Sequence, residues 1–316
     1  MIEYEFVENP LQSTIASVPV PCHLQNAIFL GVTMIKHKKI VFLAVFLFLL
    51  AAVFYGDRTL QTEEFSFLSS ALPDDFDGFR IVHLSDLHGR QFGKGNKKLL
   101  AAVRNAAPDI IALTGDFVDA NCNSADLEEL ICGLVEIAPT YYVTGNHEWG
   151  AGKALETVSA FTSWGVNCLQ NEFVTLYRGD SSIVLAGIHD PNGYADQKTP
   201  EQLSQEVEEA YPNSFWILLA HRNNLFSGRY CRLGADLTLC GHAHGGIWRI
   251  PGTDGLIDTT MTFLPSFTSG FYSCIDENCS RSTVFVSRGL GDSPRFVPRL
   301  FNRPQVAVII LEKEQA

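Results

Sequence analysis

At 316 residues and 34.9 kDa, with 46% hydrophobic and 18% charged residues and a mean hydropathy of +0.08, the chain is too apolar for disorder and too polar for many membrane crossings. Its formal charge is −12 and no basic stripe offsets it, which excludes nucleic acid as an expected partner, since that backbone is held by Lys and Arg. The acidity lies beyond residue 56, because the three Glu of residues 1–33 are balanced by Lys36, Lys38 and Lys39.

Residues 1–33 have no helical or strand period and contain three prolines. A positively charged run opens after Met34, so Met34 is expected to be the native start, with 1–33 a mis-assigned or disordered leader. Ile40–Gly56 carries no charge, and as a helix it spans about 26 Å, slightly short of a ~30 Å hydrocarbon core. Phe, Leu, Val and Ala on every face argue against a buried core helix. A poor cleavage site, with Leu50 before Ala51-Ala52 and Phe54-Tyr55 after, argues against removal. Residues 34–56 therefore read as a signal anchor or transmembrane helix. Lys36, His37, Lys38 and Lys39 precede it, and the positive-inside rule sends Asp57 onward to the extracytoplasmic side of the cell membrane, in a single pass. Residues 57–77 read as a polar linker and 78–316 as one domain; the roughly 260 residues past the anchor are ample for a core.

Within that domain, apolar runs at Phe79–Leu84, Asp109–Leu113, Thr140–Val143, Ser182–Ile188, Phe215–Leu219, Leu237–Leu239 and Val306–Leu311 predict strands. Between them, Lys97–Ala106, Ala125–Ile137, Ala154–Trp164 and Glu201–Ala210 have helical composition, and Asn123 or Ser124 caps the second. This α/β alternation places functional groups on loops at strand ends.

At those ends stand Asp86-Leu87-His88, Gly115-Asp116-Phe117-Val118-Asp119, Gly145-Asn146-His147-Glu148, Ala220-His221 and Gly241-His242-Ala243-His244. One such block is weak evidence, since an Asp or His after a strand is commonly a cap. Five blocks opening from apolar runs make a ligand set of hard oxygen and imidazole that suits Mn²⁺, Fe or Zn²⁺.

With these blocks, from about Arg80 to Val306–Leu311, the chain resembles the calcineurin-like metallophosphoesterase superfamily, whose pattern is D-x-H, G-D-x-x-D, G-N-H-[DE], an isolated His and G-H-x-H. The resemblance implies a four-layer α/β/β/α sandwich of two mixed sheets and a centre of two divalent metal ions, Mn first, with Fe, Zn or Mg as alternatives. It implies that Asp86, His88 and His244 hold one ion, Asn146, His221 and His242 the other, and that Asp116 bridges them. His147 is then the proton donor or transition-state stabiliser, oriented by Asp119. The chemistry is coherent: two cations roughly 3.5–4 Å apart clamp a phosphoryl group, bring water near a neutral pKa and make an electropositive centre inside an acidic protein.

Asp119 is followed by Ala120-Asn121 instead of the Arg-Gly of Ser/Thr protein phosphatases, which disfavours that activity. The segments Leu219-Ala220-His221, Cys240–Gly246, Arg249–Gly252, Ser287–Gly291 and Arg299–Pro304 look like the membrane-anchored bacterial phosphodiesterase branch. That branch implies hydrolysis of a phosphoester, a diester first, by a metal-activated water, on a substrate that is in some relatives lipid-linked. Two alternatives stand beside it. One is the UDP-2,3-diacylglucosamine pyrophosphate hydrolase of lipid A synthesis, whose cytosolic substrate conflicts with the inferred orientation. The other is a non-catalytic binding module on the same fold. Oligomeric state is left open.

Arg249 and Arg288, ahead of Arg90 and Arg222, are candidate phosphate contacts by proximity to these blocks. Glu148 either orients a metal-binding His or caps the following helix. Gly255–Ser280, rich in Phe, Tyr, Thr, Ser and Gly and lacking Lys and Arg, reads as an irregular hairpin or crossover, or as an apolar lip beside the site that contacts a lipid or the membrane surface. Cys274 and Cys279 are the best disulfide candidates, while Cys168 and Cys240 read as buried thiols.

Overall fold

The computed structural model describes residues 22–119, 122–250, 252–258, 261–274, 282–291 and 297–314. In chain order the elements begin with α1 (Cys22–Arg58), β1 (Gln61–Ser69), β2 (Phe79–Leu84), α2 (Lys97–Asn105), β3 (Ile110–Thr114), α3 (Ser124–Val135), β4 (Thr140–Val143), α4 (Asn146–Gly150), α5 (Ala154–Ser163) and β5 (Asn167–Cys168). They continue with β6 (Glu172–Arg178), β7 (Ser181–Gly187), α6 (Pro200–Ala210), β8 (Trp216–Arg222), β9 (Leu237–Gly241), β10 (Trp248–Arg249), β11 (Gly255–Ile257), β12 (Gly270–Ser273), β13 (Thr283–Val286) and β14 (Gln305–Lys313).

The described residues up to Ala51 form one unit and those from Ala52 onward another. Of the expected leader, residues 1–21 lie outside the described residues, whereas α1 already runs from Cys22, upstream of Met34. Pro21 is the last proline before Arg58, so no proline interrupts a helix over that stretch. The 20-residue window His37–Gly56 is long and apolar enough to cross a membrane.

The second unit is built from two six-stranded sheets, ordered β1-β14-β2-β3-β4-β5 and β12-β13-β9-β8-β7-β6. Both are mixed. In the first, β2, β3, β4 and β5 run parallel while β14 is antiparallel to β2; in the second, β13, β9, β8 and β7 run parallel and β12 and β6 are antiparallel edges. Strand periodicity splits each apolar run between two cores. Ile81, Ile110 and Ala112 meet Ile217, Leu219 and Leu239 between the sheets. Val82, Leu84, Ile111 and Leu113 face Leu99, Val103, Leu130 and Phe161 of α2, α3 and α5. On the far side, Leu203 and Val207 of α6 cover Ala186, Leu218 and Val284. The result is the expected α/β/β/α layering. Truncating one of these fully buried Leu or Ile residues to Ala is expected to cost about 2–5 kcal/mol.

Local signals explain the helix starts. The Asn123 side chain accepts from Ala125 N at 3.1 Å, and Thr199 with Gln202 forms a capping box just before Pro200.

The linker expected over 57–77 is corrected: β1 is the edge strand of the first sheet, paired in parallel with β14 along its whole length. Its apolar contribution to the core between the sheets comes from Phe65 and Phe67, while the alternating Thr62, Glu64, Ser66 and Leu68 face solvent. Strands β6 and β13 are likewise additions to the sequence reading, as is the small hairpin of β10 and β11. The expected Cys274–Cys279 pair involves a residue outside the described set. Cys240 is fully buried and Cys168 partly so.

Candidate metal centre

The C-terminal ends of β2, β3, β4, β8 and β9 converge, and each delivers one of the five blocks. Asp86 and His88 follow β2, Asp116 and Asp119 follow β3, Asn146 and His147 open α4 after β4, His221 lies near the end of β8, and His242 and His244 follow β9. The β8–β9 register shifts between Leu219 and Arg222, so an irregularity in the ladder surrounds His221.

The backbone is unusual here. Asp86, His88, Asp116, His242 and His244 have φ of 52°, 50°, 57°, 68° and 49°, a region that non-glycine residues rarely occupy and that costs about 1–3 kcal/mol each. Such outliers clustered on chemistry-bearing residues mark a functional site. Two glycines permit the close approach. A Cβ on Gly145 would overlap the Asp116 carboxylate, and one on Gly241 would overlap Ser85 Oγ and Asp86 Oδ2.

Ligand atoms of Asp86, His88 and His244 lie within 4.8 Å of one another, as do those of Asp116, His221 and His242. A third overlapping group, His88, Asp116 and His147, joins the two. Asn146 Oδ1 is 3.1 Å from His221 Nε2, which completes the second expected set.

The donor chemistry fits divalent cations. His221 Nδ1 lies 2.7 Å from the Thr114 carbonyl, which can only accept, so Nδ1 carries a proton and Nε2 is the atom turned to the site. Nε2 faces Asp116 Oδ2 at 3.1 Å and Asn146 Oδ1 at 3.1 Å, a cluster of donor atoms that calls for positive charge. Burial opposes charging His221, yet the Asp116 carboxylate overrides it and lifts the imidazole to about 10, so that without a metal a proton occupies Nε2, the position a cation would take. In the first set, His88 Nδ1 faces Asp119 Oδ1 at 3.0 Å and His88 Nε2 faces His244 Nε2 at 3.2 Å. Burial holds His244 neutral, down to about 3, and burial together with nearby His221 holds His242 down to about 4, the state in which imidazole binds metal. Burial would raise Asp86 and Asp116, but His244 acting on the first and His221 on the second keep both carboxylates below their ordinary range.

Asp119 Oδ1 also meets His147 Nδ1 at 2.9 Å, while His147 N donates to Asp116 Oδ1 at 2.8 Å. The His147 side chain is 41% exposed, the most open of the histidines for which an ion pair is formed here. Its hydrogen bond to Asp119 outweighs burial and raises its pKa.

Glu148 neither orients a histidine nor serves only as a cap. Fully buried, it accepts from the backbone N–H of Asp116 (3.0 Å), Phe117 (2.7 Å), Val118 (3.0 Å) and Gly145 (2.8 Å), and so fixes the loop that aims Asp116.

The two candidate phosphate arginines have other work. Arg249 donates to the carbonyls of Gly245 (2.9 Å) and Thr253 (2.7 Å), bracing the β10–β11 hairpin. Arg288 pairs with Glu63 of β1 at 2.5 Å and reaches Gln61 Oε1 at 3.1 Å. Arg222 is held in a fork by buried Asp190 at 2.6 and 3.0 Å, and Arg90 lies over the Phe92 ring. Closeness in sequence to a ligand block does not say where a long side chain ends, and the guanidinium groups of Arg249 and Arg288 end on these protein partners.

Two residues that sequence reasoning passed over support His244. Asn302 Nδ2 donates to His244 O at 2.7 Å, and buried Arg299 donates to Arg288 O at 2.8 Å while its Nη2 lies 3.4 Å from His244 Nδ1. Both belong to the Arg299–Pro304 segment, which has no periodicity to mark them, and a buried arginine is visible only in three dimensions.

The profile of the calcineurin-like phosphoesterase family matches residues 79–246. Phosphodiesterase YaeI of Escherichia coli (strain K12) is 31% identical over 240 residues, covering 74% of this chain and 82% of its own. The uncharacterized metallophosphoesterase YkuE of Bacillus subtilis (strain 168) is 28% identical over 262 residues, covering 80% of this chain and 86% of its own. A transmembrane protein with metallophosphoesterase domain from Bos taurus is 28% identical over 257 residues, covering 76% of this chain and 54% of its own. The matched span begins at the first residue of β2 and ends just beyond His244, enclosing all five blocks and the strands that aim them. On sequence, fold and the converging ligand groups together, the chain belongs to the calcineurin-like phosphoesterase family.

Proposed function

We propose that this phosphoester hydrolase is a membrane-anchored phosphodiesterase in which Asp86, His88 and His244 hold one divalent cation, Asn146, His221 and His242 hold a second, and Asp116 is shared. The observation that carries the reading is that a third group, His88, Asp116 and His147, overlaps both ligand groups, so that Asp116 of the second lies 3.9 Å from His88 of the first. When bound, the cations supply Lewis acidity that lowers the pKa of water to about 7 and neutralises charge on the phosphoryl oxygens. Manganese is the first choice of metal on ligand type, with Fe, Zn and Mg as alternatives.

The protein's own groups do the rest. Asp119 Oδ1 accepts from His147 Nδ1 at 2.9 Å, which fixes the ring and leaves Nε2 to hand a proton to the departing alkoxide. The raised pKa of His147 keeps that proton in place closer to neutral pH. Glu148 holds the Asp116 loop, so the shared carboxylate is already in place and need not rearrange.

A diester is favoured over a monoester because the guanidinium groups of Arg222, Arg249 and Arg288 are engaged by protein partners. Charge neutralisation then falls to the cations and His147, which suits a singly charged phosphate better than a doubly charged one. The relative named phosphodiesterase, at 31% identity, supports the same choice. The anchor reading rests on the apolar window His37–Gly56, and Lys36, Lys38 and Lys39 ahead of it favour an extracytoplasmic catalytic domain.

Purified full-length protein assayed with Mn²⁺ on bis-p-nitrophenyl phosphate and p-nitrophenyl phosphate tests the proposal. At least about tenfold higher kcat/KM on the diester is expected, and a preference for the monoester would refute the diesterase reading.

A further inference from the structure

Ile250, Met261, Phe263 and Leu264 are 53%, 65%, 65% and 64% exposed, a concentration of large apolar side chains on one excursion of the domain. All four lie on or beside the β10–β11 hairpin, where Phe263 is bridged to Ile257 and Leu264 N donates to Leu256 O at 2.9 Å. Met261 and Leu264 have φ of 64° and 52°, a costly backbone for bulky residues. Strained backbone that presents apolar side chains to water is unexpected unless another phase covers them. Between Arg249 and Arg281 the sequence holds no Lys or Arg, so the covering phase is not recruited by basic charge.

The position of the hairpin identifies that phase. Trp248 is bridged to Leu300, and Arg249 N donates to Leu300 O at 3.0 Å. Three residues on, the Arg303 guanidinium donates to the carbonyls of Thr59 (3.1 Å) and Leu60 (2.6 Å), and Gln61 N donates to Pro304 O at 2.8 Å. The apolar hairpin and the residues leaving α1 are therefore fastened to the same stretch, 300–304. The window His37–Gly56 ends five residues before Gln61, a tether of at most about 17 Å. Phe301, partly exposed, lies between the two attachments, and Asn302 beside it holds His244.

We propose that Ile250, Met261, Phe263 and Leu264 form a membrane-contact surface that inserts into the outer layer of the bilayer carrying α1, and that it seats the rim of the metal centre against lipid headgroups. The proposal rests on the reading of His37–Gly56 as a membrane span. Its occupant is a lipid bilayer, held by apolar insertion and so indifferent to anionic lipid and to salt.

The test is hydroxyl-radical labelling of the full-length chain in phosphatidylcholine nanodiscs, with Tyr177, 76% exposed, as the reference. Met261, Phe263 and Leu264 are expected to label at least about fivefold more slowly than their exposure in the domain dictates, with no change on adding phosphatidylglycerol. Labelling in line with that exposure overturns the proposal. Protection that requires two chains per disc also overturns it, by assigning the face to a second copy. A chain that does not enter nanodiscs sinks the membrane-span reading itself, a different failure. The double variant Phe263→Ser/Leu264→Ser alters only exposed side chains, and should restore labelling of Met261 several-fold in discs; unchanged protection counts against insertion.

Discussion

Asp119 accepts from His147 through the same Oδ1 that meets His88 Nδ1, at 2.9 and 3.0 Å. One carboxylate oxygen thus sets the ring of the proposed proton donor and of a proposed metal ligand, and couples the two. Asp119→Asn keeps an acceptor but loses the charge that both imidazoles use. Turnover is expected to fall about 10–100-fold, with weaker metal retention, because partners of metal-binding histidines typically matter to that extent. Steady-state kinetics alongside metal content checks both; full activity with both ions retained would show that the shared contact is incidental.

His147→Gln removes the proton donor without touching either expected ligand set. A drop in kcat of about 10²–10⁴-fold is expected for an alkyl leaving group and a much smaller one for p-nitrophenol, which departs without a proton. Equal losses on both substrates would contradict the general-acid role. Metal content should not change.

Glu148 receives four backbone N–H groups while fully buried, so Glu148→Gln puts a donor where only acceptors fit. Losses of about 1–3 kcal/mol for each unpaired group lead to a variant destabilised by at least about 3 kcal/mol, visible as a lower Tm, with a disordered Asp116 loop and little activity. A variant of unaltered Tm would mean that the loop holds itself.

Asp236 supplies a pH signature remote from the metal centre. Burial lifts its carboxyl to about 6, above the roughly 3.9 of an unfolded chain, while Trp216 N donates to Oδ2 at 2.9 Å. The folded state then binds the proton more tightly, so this group's contribution to stability is complete below about pH 4, declines as pH rises to about 6, and is level above. Asp236→Asn keeps the Trp216 contact and removes the decline. The variant should gain about 2 kcal/mol on the wild type between pH 4 and 7 in thermal unfolding profiles. Parallel profiles would place the ordinary carboxylate pKa at Asp236.

The expected ligands were legible because each follows directly on an apolar run, so a local pattern already places it at a strand end. Seven of the fourteen strands among the described residues and the four longer helices of the domain were legible for the same reason, since apolar period and capping residues act within a few positions. What escaped depends on distance along the chain. Strand β1 brings only Phe65 and Phe67 as apolar residues to the core between the sheets, and its partner β14 lies at the other end of the sequence. Arg288 stands beside a suggestive Ser-Arg-Gly-Leu-Gly run, yet its guanidinium ends on Glu63 of that same unrecognised strand. Arg299 and Asn302 support His244 from a segment without periodicity, where no local rule assigns a direction.

The central claim is that Asp116 is shared between two cations, and the metal content of the purified protein tests it most directly. After saturation with Mn²⁺ and desalting, about two ions per chain are expected in the wild type, with fewer than one and no diester turnover in Asp116→Ala. A wild-type chain that turns over diester with no divalent ion bound, or an Asp116→Ala variant that keeps both ions and full turnover, would contradict the account.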